Sequence, residues 1–576
     1  MAKGFLQPNH CAFDSPYRSR VRYMREIISN IAIDIIMWFA RFTLRQPFLA
    51  ASDKIEVTQN ELILRILREN AQSKYGKKYG FEEILSVQEF RRKVPICDYN
   101  ELEPYIKRQQ QNQCELTVGA PLFYARTSGT TGRYKDIPLT KSGLNQIRRF
   151  QQHLAYSLWH KTDFFKGTVL GFFSPGVEGT LPNGIPFGSA SGANYDSLSF
   201  IFETKFVIPK EAFTLNDVEA KYEVYALSAL VFGSTTGVFS VNPSSLLKVC
   251  IMIEKRSEEL LTALIDDDQS KILSGSALIL PKLIAQLKPN RRKVLSRVLR
   301  SKKTISPKIL WPELSTLVTW TGGSCGIALE KLKNYLPSGV KVVEIGYASS
   351  EFCGSVNVDA DRNICLPMFT DNYYEFASLQ DWGSKNPVFL SLTELEPGQD
   401  YYIFVTTASG LYRYNINDVV TATEGIGNCP GLRFLRKGKG VTNITGEKIS
   451  EDQVISAVSK GLKFENCISD TYLMLADEEL NKYFLFVELA DEKSLGNLAE
   501  MIETELRRSN CEYDDKRASG RLQALEVRRF QNGAGQAIKN RFLSQGVRET
   551  QYKPPVLVCW KDWAEWIDKW AEKGKT

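Results

Sequence analysis

Two hydrophobic periods alternate along this chain, and the switches between them outline its elements. Over residues 27–44, Ile28, Ile31, Ile35, Trp38 and Phe42 recur at helical spacing with Asn30, Asp34 and Arg41 opposite. That pattern predicts an amphipathic helix docked by its apolar stripe on the core. The stretch is shorter than the ~20 apolar residues of a membrane span and carries two charges. Attachment to a membrane surface is the remaining reading. Residues 59–111 are helical in pattern, with a break at Asp98-Tyr99-Asn100. From residue 122 onward strands and helices alternate. Residues 121–124 and 137–139 read as the arms of a hairpin. Residues 169–173, 317–320, 340–344 and 401–405 read as strands. Residues 216–235 and 244–265 read as helices, the second capped by Asn242-Pro243-Ser244.

Beyond a polar, glycine-bearing stretch at 436–440, the pattern starts again. It gives helices near 450–460, 494–508 and 536–545 and strands at 471–476, 482–489 and 522–530. That is a separate small α/β unit. The 576 residues exceed a single hydrophobic core, so about two or three domains are expected. The fold class is α/β, with an N-terminal domain over 1–433, a hinge at 434–440 and a small C-terminal domain over 441–576.

Composition changes this picture little. The chain is 43% hydrophobic and 24% charged, as globular proteins are. A net charge of +7 is modest for this length and does not itself imply a nucleic acid partner. Lys288, Arg291, Arg292, Lys293, Arg297, Arg300, Lys302 and Lys303 cluster where acids are missing, without interleaved aromatics; a solvated helix face is expected. The 11 cysteines form no Cys-x-x-Cys pair, and the three histidines are His10, His153 and His160. This argues against a zinc site and for a reducing cytosol. No cleavable signal pattern is visible, so a cytoplasmic location is expected.

The chemistry lies in three motifs. Thr127-Ser128-Gly129-Thr130-Thr131-Gly132-Arg133-Tyr134-Lys135 has two glycines that free the backbone to turn and to approach a ligand. Its four hydroxyls are donors able to reach phosphate oxygens, and Lys135 adds a positive charge. It is not the Gly-Lys-Ser/Thr loop that opens a helix. A plain Ser/Thr/Gly turn is the alternative. Gly346-Tyr347-Ala348-Ser349-Ser350-Glu351 follows a strand, where α/β sheets bind ligands. Tyr347 is placed to stack on a base and Glu351 to hold Mg²⁺; a capped structural turn is the alternative. Tyr412-Arg413-Tyr414-Asn415-Ile416-Asn417-Asp418 ends in a carboxylate suited to the hydroxyls of a ribose. Gly322-Gly323-Ser324-Cys325-Gly326 matches a nucleophile elbow, but every histidine precedes Ser324, so the hydrolase order cannot be built. A glycine-rich loop beside a nucleotide is the better use.

Taken in order, these motifs resemble those of the adenylate-forming superfamily. Within it they are most similar to the acyl acid amido synthetase family, the auxin-responsive Gretchen Hagen type of plants and its bacterial relatives. The resemblance runs over roughly residues 50–560, with further echoes at Trp311-Pro312-Glu313-Leu314, Gly446-Glu447-Lys448 and Gln551-Tyr552-Lys553-Pro554-Pro555. Two departures stand out. Asn417 occupies the place of a family glycine, and the phosphate loop lacks a residue of many plant members, which brings it nearer the bacterial type.

The resemblance implies a large adenylate-forming domain of sheets, helices and a β-barrel-like subdomain, with a mobile C-terminal domain. It implies ATP and Mg²⁺, a carboxylic acid and an amino acid as partners, no nucleic acid, no transmembrane segment, and a monomer. The carboxylate attacks the α-phosphorus, pyrophosphate leaves, and an amine takes the acyl group. In this scheme Lys135, Glu351, Lys553 and Lys448 are catalytic. Thr127, Ser128, Gly129, Thr130, Thr131, Gly132, Gly322, Gly323, Ser324, Gly346, Tyr347, Ala348, Ser349, Ser350, Glu351, Asp418, Arg436 and Lys553 surround the nucleotide, and Glu351 holds the metal. The alternatives are a thioester-forming acyl-CoA ligase and a non-catalytic nucleotide-binding homologue.

Overall fold

The computed structural model describes residues 16–572, apart from 112, 129–133, 174, 191, 193–199, 302–304, 306, 323–324, 385, 439, 443, 445–446, 448, 490–494, 519, 521 and 550–551. Four strands, Thr168–Phe172, Thr235–Ser240, Thr316–Thr319 and Lys341–Glu344, pair in that order, all parallel. Parallel neighbours need crossovers, and helices supply them. Val218–Val231 lies between the first and second strands, Pro243–Lys255 and Ser257–Asp266 between the second and third, and Cys325–Leu332 between the last two. Val218–Val231 is apolar on almost every face and is buried with Leu170, Leu317 and Trp311. The Trp311 indole donates to the Ala229 carbonyl at 2.9 Å, so the buried N–H is satisfied.

A second layer is antiparallel. Asn372–Ser378, Asp400–Thr407, Tyr414–Ile426 and Cys429–Lys437 pair consecutively in an open four-stranded sheet. Together with the hairpin Ser355–Asp359/Ile364–Pro367 it fills the place of the barrel-like part. Helix Ile55–Asn70 packs on it. Gln59 Nε2 donates to the carbonyls of Phe369 and Asn372 at 2.6 and 2.7 Å, and its Oε1 accepts from the Tyr374 amide at 2.9 Å. The hairpin expected around the phosphate loop is present as Phe123–Ser128 against Tyr134–Leu139.

The C-terminal unit has the sheet order Glu526–Arg529, Lys482–Glu488, Thr471–Asp477, Leu557–Cys559. Helices Glu451–Phe464 and Gly496–Ser509 cover one face, Ala534–Ser544 and Ala564–Trp570 the other. Strand Cys429–Lys437 runs through the first four residues of the expected hinge, so the ladder holds them.

Three expectations are corrected. Asp98 starts a helix rather than breaking one. Its carboxylate accepts from the amides of Asn100 and Glu101, and Glu101 answers with a bond to the Asp98 amide. That reciprocal cap opens Tyr99–Gln109. The basic stretch forms helix Pro289–Ser301 with Lys288, Lys293, Arg297 and Arg300 exposed as expected, and the correction concerns Arg291 and Arg292, which turn inward and donate to the carbonyls of Leu230 and Ile265, both at 2.8 Å. Burial lowers the Arg291 pKa to about 10. The apolar stripe of the first helix, Pro16–Ala40, faces outward instead of docking on the core.

Candidate active site

A cavity of about 1380 Å³ opens at the C-terminal ends of the parallel strands, where the antiparallel sheet and the C-terminal unit meet them. This is the usual ligand crevice of an open parallel sheet. Residues from every part of the chain line it, including Lys135, Gly322, Glu344, Gly346, Glu351, Asp418 and Lys553.

The loop after the last parallel strand has a fixed shape. Glu344 ends that strand buried, and its carboxylate accepts from the Thr321 amide at 2.7 Å, the Thr321 hydroxyl at 2.5 Å and the Gly346 amide at 3.1 Å. Burial pushes the Glu344 carboxyl up, while Thr321, the Gly346 amide and the Lys553 charge pull it back. Gly346 sits at φ 111°, and a Cβ there would lie 2.3 Å from the Ser355 carbonyl oxygen. Only glycine fits that turn. The Ser349 hydroxyl accepts from the amides of Glu351 and Phe352 at 3.2 and 3.3 Å, which leaves the half-buried Glu351 at the cavity wall with Ala348 and Ser350 beside it.

Tyr347 and Asp418 meet. The Tyr347 hydroxyl donates to Asp418 Oδ2 at 2.7 Å, and both side chains are buried. Burial and the adjacent carboxylate raise the Tyr347 pKa well above its ordinary value, so it stays a donor. Its ring lies nearly parallel to Phe434, with centroids 5.7 Å apart. Asn417 takes φ 57°, the left-handed conformation an asparagine tolerates, and this keeps the turn at the glycine-to-asparagine departure. Its carbonyl accepts from the Gly438 amide at 2.8 Å. Arg413 is a positioning residue: buried, it forks onto Glu375 at 2.9 and 3.0 Å and donates to the carbonyls of Arg91 and Val94.

Among the described residues two lysines face the cavity. Lys135 stands opposite Thr127 in the hairpin, its Nζ 5.3 Å from the Tyr99 ring centroid. Lys553, on the C-terminal unit, lies 4.6 Å from the Trp320 ring and 4.7 Å from the Phe434 ring. Asn242 Nδ2 donates to the Tyr552 carbonyl at 2.7 Å, and Arg548 bonds Glu178 and the Arg126 carbonyl. These contacts tether the Lys553 segment to the N-terminal part.

Gly129, Thr130, Thr131, Gly132, Gly323, Ser324 and Lys448 lie outside the described residues. Thr127, Ser128 and Arg436 are placed by backbone pairing alone: the first two face Lys135 and Tyr134, and Arg436 faces Val419. His153 offers no base for a hydrolase: it is buried against Phe48, and burial, with Arg45 and Arg149 nearby, lowers its pKa to about 3. Pattern reading missed Glu344, Trp320 and Phe434. The available signal for Glu344 was a carboxylate closing a Val-Val strand.

The chain matches three family models in sequence order: the GH3 family N-terminal domain over 44–342, the central domain over 365–437 and the C-terminal domain over 452–562. A 4-substituted benzoates-glutamate ligase, GH3.12, from Arabidopsis thaliana is 23% identical over 88% of this chain and 93% of its own. A jasmonoyl-L-amino acid synthetase, JAR4, from Nicotiana attenuata is 24% identical over 87% and 90%. Among solved structures, the GH3.15 acyl acid amido synthetase superposes with TM-score 0.78 at 23% identity, covering 91% of this chain and 96% of that one. A 2-hydroxyisobutyryl-CoA ligase in the postadenylation state shares the fold at TM-score 0.53 and 11% identity, over 90% and 91% of the two chains.

Proposed function

The chain belongs to the GH3 family, and from that premise we propose that it is an ATP-dependent acyl acid amido synthetase. It joins a carboxylic acid to an amino acid through an acyl-adenylate. The observation that carries this reading is the Tyr347–Asp418 bond, set in one cavity with Lys135, Glu351 and Lys553. A carboxylate for the ribose, two cations and a strand-end loop converge there from four separate parts of the chain.

Phosphoryl chemistry of this kind depends mainly on placing and neutralising charge. Asp418 accepts from the ribose hydroxyls, held in place by Tyr347. Lys135 and the hydroxyls of Thr127, Ser128, Thr130 and Thr131 take the phosphates, with Gly129 and Gly132 allowing close approach. Gly322, Gly323 and Ser324 border the nucleotide. Lys553 neutralises charge as the substrate carboxylate attacks the α-phosphorus and pyrophosphate leaves. Arg436 and Lys448 add positive charge for the nucleotide in this scheme. The amine of the amino acid then attacks the acyl carbon, loses a proton, and AMP departs as the amide forms. Phe164, Phe165, Phe172, Phe206 and Leu158 give the cavity an apolar arm, suited to an acid with an apolar body.

Glu351 suits a magnesium ion in the way phosphate enzymes use one, as a single carboxylate completed by phosphate oxygens. Among the described residues no group of three or more His, Cys, Asp or Glu is arranged to hold a metal by itself, so phosphates would supply the remaining ligands. Bound there, the ion would neutralise the leaving pyrophosphate. The C-terminal unit, 441–576, would turn on 438–440 relative to 1–433 between the two half-reactions. The protein would act as a monomer in the cytoplasm.

Pyrophosphate release with a panel of acids tests the assignment. Lys553→Ala and Glu351→Ala each slow it strongly while the melting temperature holds. Unchanged release in both variants would sink the reading. Adding amino acids or coenzyme A to the same assay separates amide from thioester formation.

A further inference from the structure

The first helix is turned inside out. Its polar residues bond toward the protein: Trp159 Nε1 donates to Asp34 Oδ1 at 2.7 Å, Ser29 meets Thr204 at 3.0 Å, and Lys205 donates to Asn30. Its outer side is apolar. Ile28, Ile31, Ile35, Trp38, Phe39 and Phe42 are 47–59% exposed, while Ile33 and Met37 face the core. Trp38 is the hub of an aromatic cluster, with ring centroids 5.0 Å from Phe39 and 5.2 Å from Phe42. A solvated helix carries the opposite pattern, and a contiguous apolar patch of this kind marks a contact surface.

Charge selects the partner. The sequence of this segment carries Arg18, Arg20, Arg22, Arg25 and Arg41 against two acids, Glu26 and Asp34. Asp34 is already engaged by Trp159. The exposed Arg41 lies 5.7 Å from the Phe42 ring centroid. Apolar and aromatic side chains flanked by arginines suit the boundary between acyl chains and anionic headgroups. Among the described residues no helix is long and apolar enough to cross a membrane, so the helix would lie on the surface.

We propose that the outer face of residues 28–42 docks on a bilayer surface carrying anionic lipid. The inner side of the same segment, Ile36, Met37 and Ala40, lines the cavity. Docking would therefore bring the wall of that cavity against the bilayer. The docking stands independently of the adenylation chemistry.

The test is co-sedimentation of the full chain with phosphatidylcholine vesicles, with and without phosphatidylserine. The chain pellets with the anionic vesicles, less so at high salt. The double variant Ile35→Glu/Trp38→Glu, exposed at both positions, pellets about tenfold less with an unchanged melting temperature. Absence of pelleting with anionic vesicles, or a variant that pellets like the parent, overturns the proposal. So does a parent that ignores vesicles but is a dimer which the variant splits, since the occupant is then a second copy.

Discussion

The Tyr347 hydroxyl donates to Asp418 Oδ2 at 2.7 Å, joining positions 71 residues apart. It couples the loop of the parallel sheet to a strand of the antiparallel one. Tyr347→Phe keeps the ring and removes the donor. A hydrogen bond to a charged group contributes about 1.5–3 kcal/mol. The variant should therefore need about tenfold more ATP for half-maximal pyrophosphate release, with a smaller fall in kcat. An ATP titration at saturating acid reads this split, and an unchanged ATP requirement would show that Asp418 holds its place without Tyr347.

Gly346→Ala should damage both fold and site. The residue sits at φ 111° with the Ser355 carbonyl 2.3 Å from the new Cβ, and that backbone atom cannot swing aside. A loss of about 3 kcal/mol in unfolding free energy is expected. Urea denaturation measures it, and a change under about 1 kcal/mol would mean that the loop relaxes.

Much of this architecture was legible because its signals are local. Residues 169–173 read as a buried strand and 340–344 as a strand, and strands Thr168–Phe172 and Lys341–Glu344 stand there; Asn242 read as a helix cap from side-chain chemistry. The motifs carrying Glu351 and Asp418 read as one nucleotide site, and both residues line one cavity. Long-range partnerships left no such trace. Glu344 gains its role from Thr321 and Gly346, and Lys553 from Trp320 and Phe434, contacts that exist only once the sheets are assembled. The first helix misled for a related reason: periodicity shows that an apolar face exists but not which way it points, and here the core took Ile33 and Met37.

Asn417→Gly should be nearly silent. The residue holds φ 57°, which glycine adopts freely. Activity within about twofold of the parent is expected, whereas Asn417→Ala, strained in the left-handed region, should lose about 1 kcal/mol. Comparing melting temperatures of the two variants checks the argument. Equal behaviour would mean that the asparagine amide, rather than the backbone angle, maintains the turn.

Glu344→Gln should weaken the loop without unfolding the chain. The carboxylate accepts three hydrogen bonds from Thr321 and Gly346, and an amide puts an NH₂ where one oxygen stood. One donor then loses its acceptor, at about 1–3 kcal/mol. The negative charge that attracts Lys553 disappears as well. Pyrophosphate release should fall about tenfold, and Glu344→Asp should recover less than half of it because the shorter side chain cannot span both partners.

His153 makes the fold acid-sensitive. In the folded chain burial lowers its pKa from 6.5 to about 3, with Arg45 and Arg149 adding like charge, and among the described residues its Nδ1 has no hydrogen-bond partner. Below pH ~6.5 the unfolded chain therefore takes up a proton that the folded chain refuses. Stability rises with pH wherever the unfolded state binds more protons, so it is lost as pH falls through that window. Between pH 7 and pH 5 the parent should lose about 2 kcal/mol more than His153→Gln, which has no proton to bind. Urea midpoints at the two pH values measure the difference. Equal losses in parent and variant would mean that the imidazole is protonated in the folded chain, which the two neighbouring arginines make unfavourable.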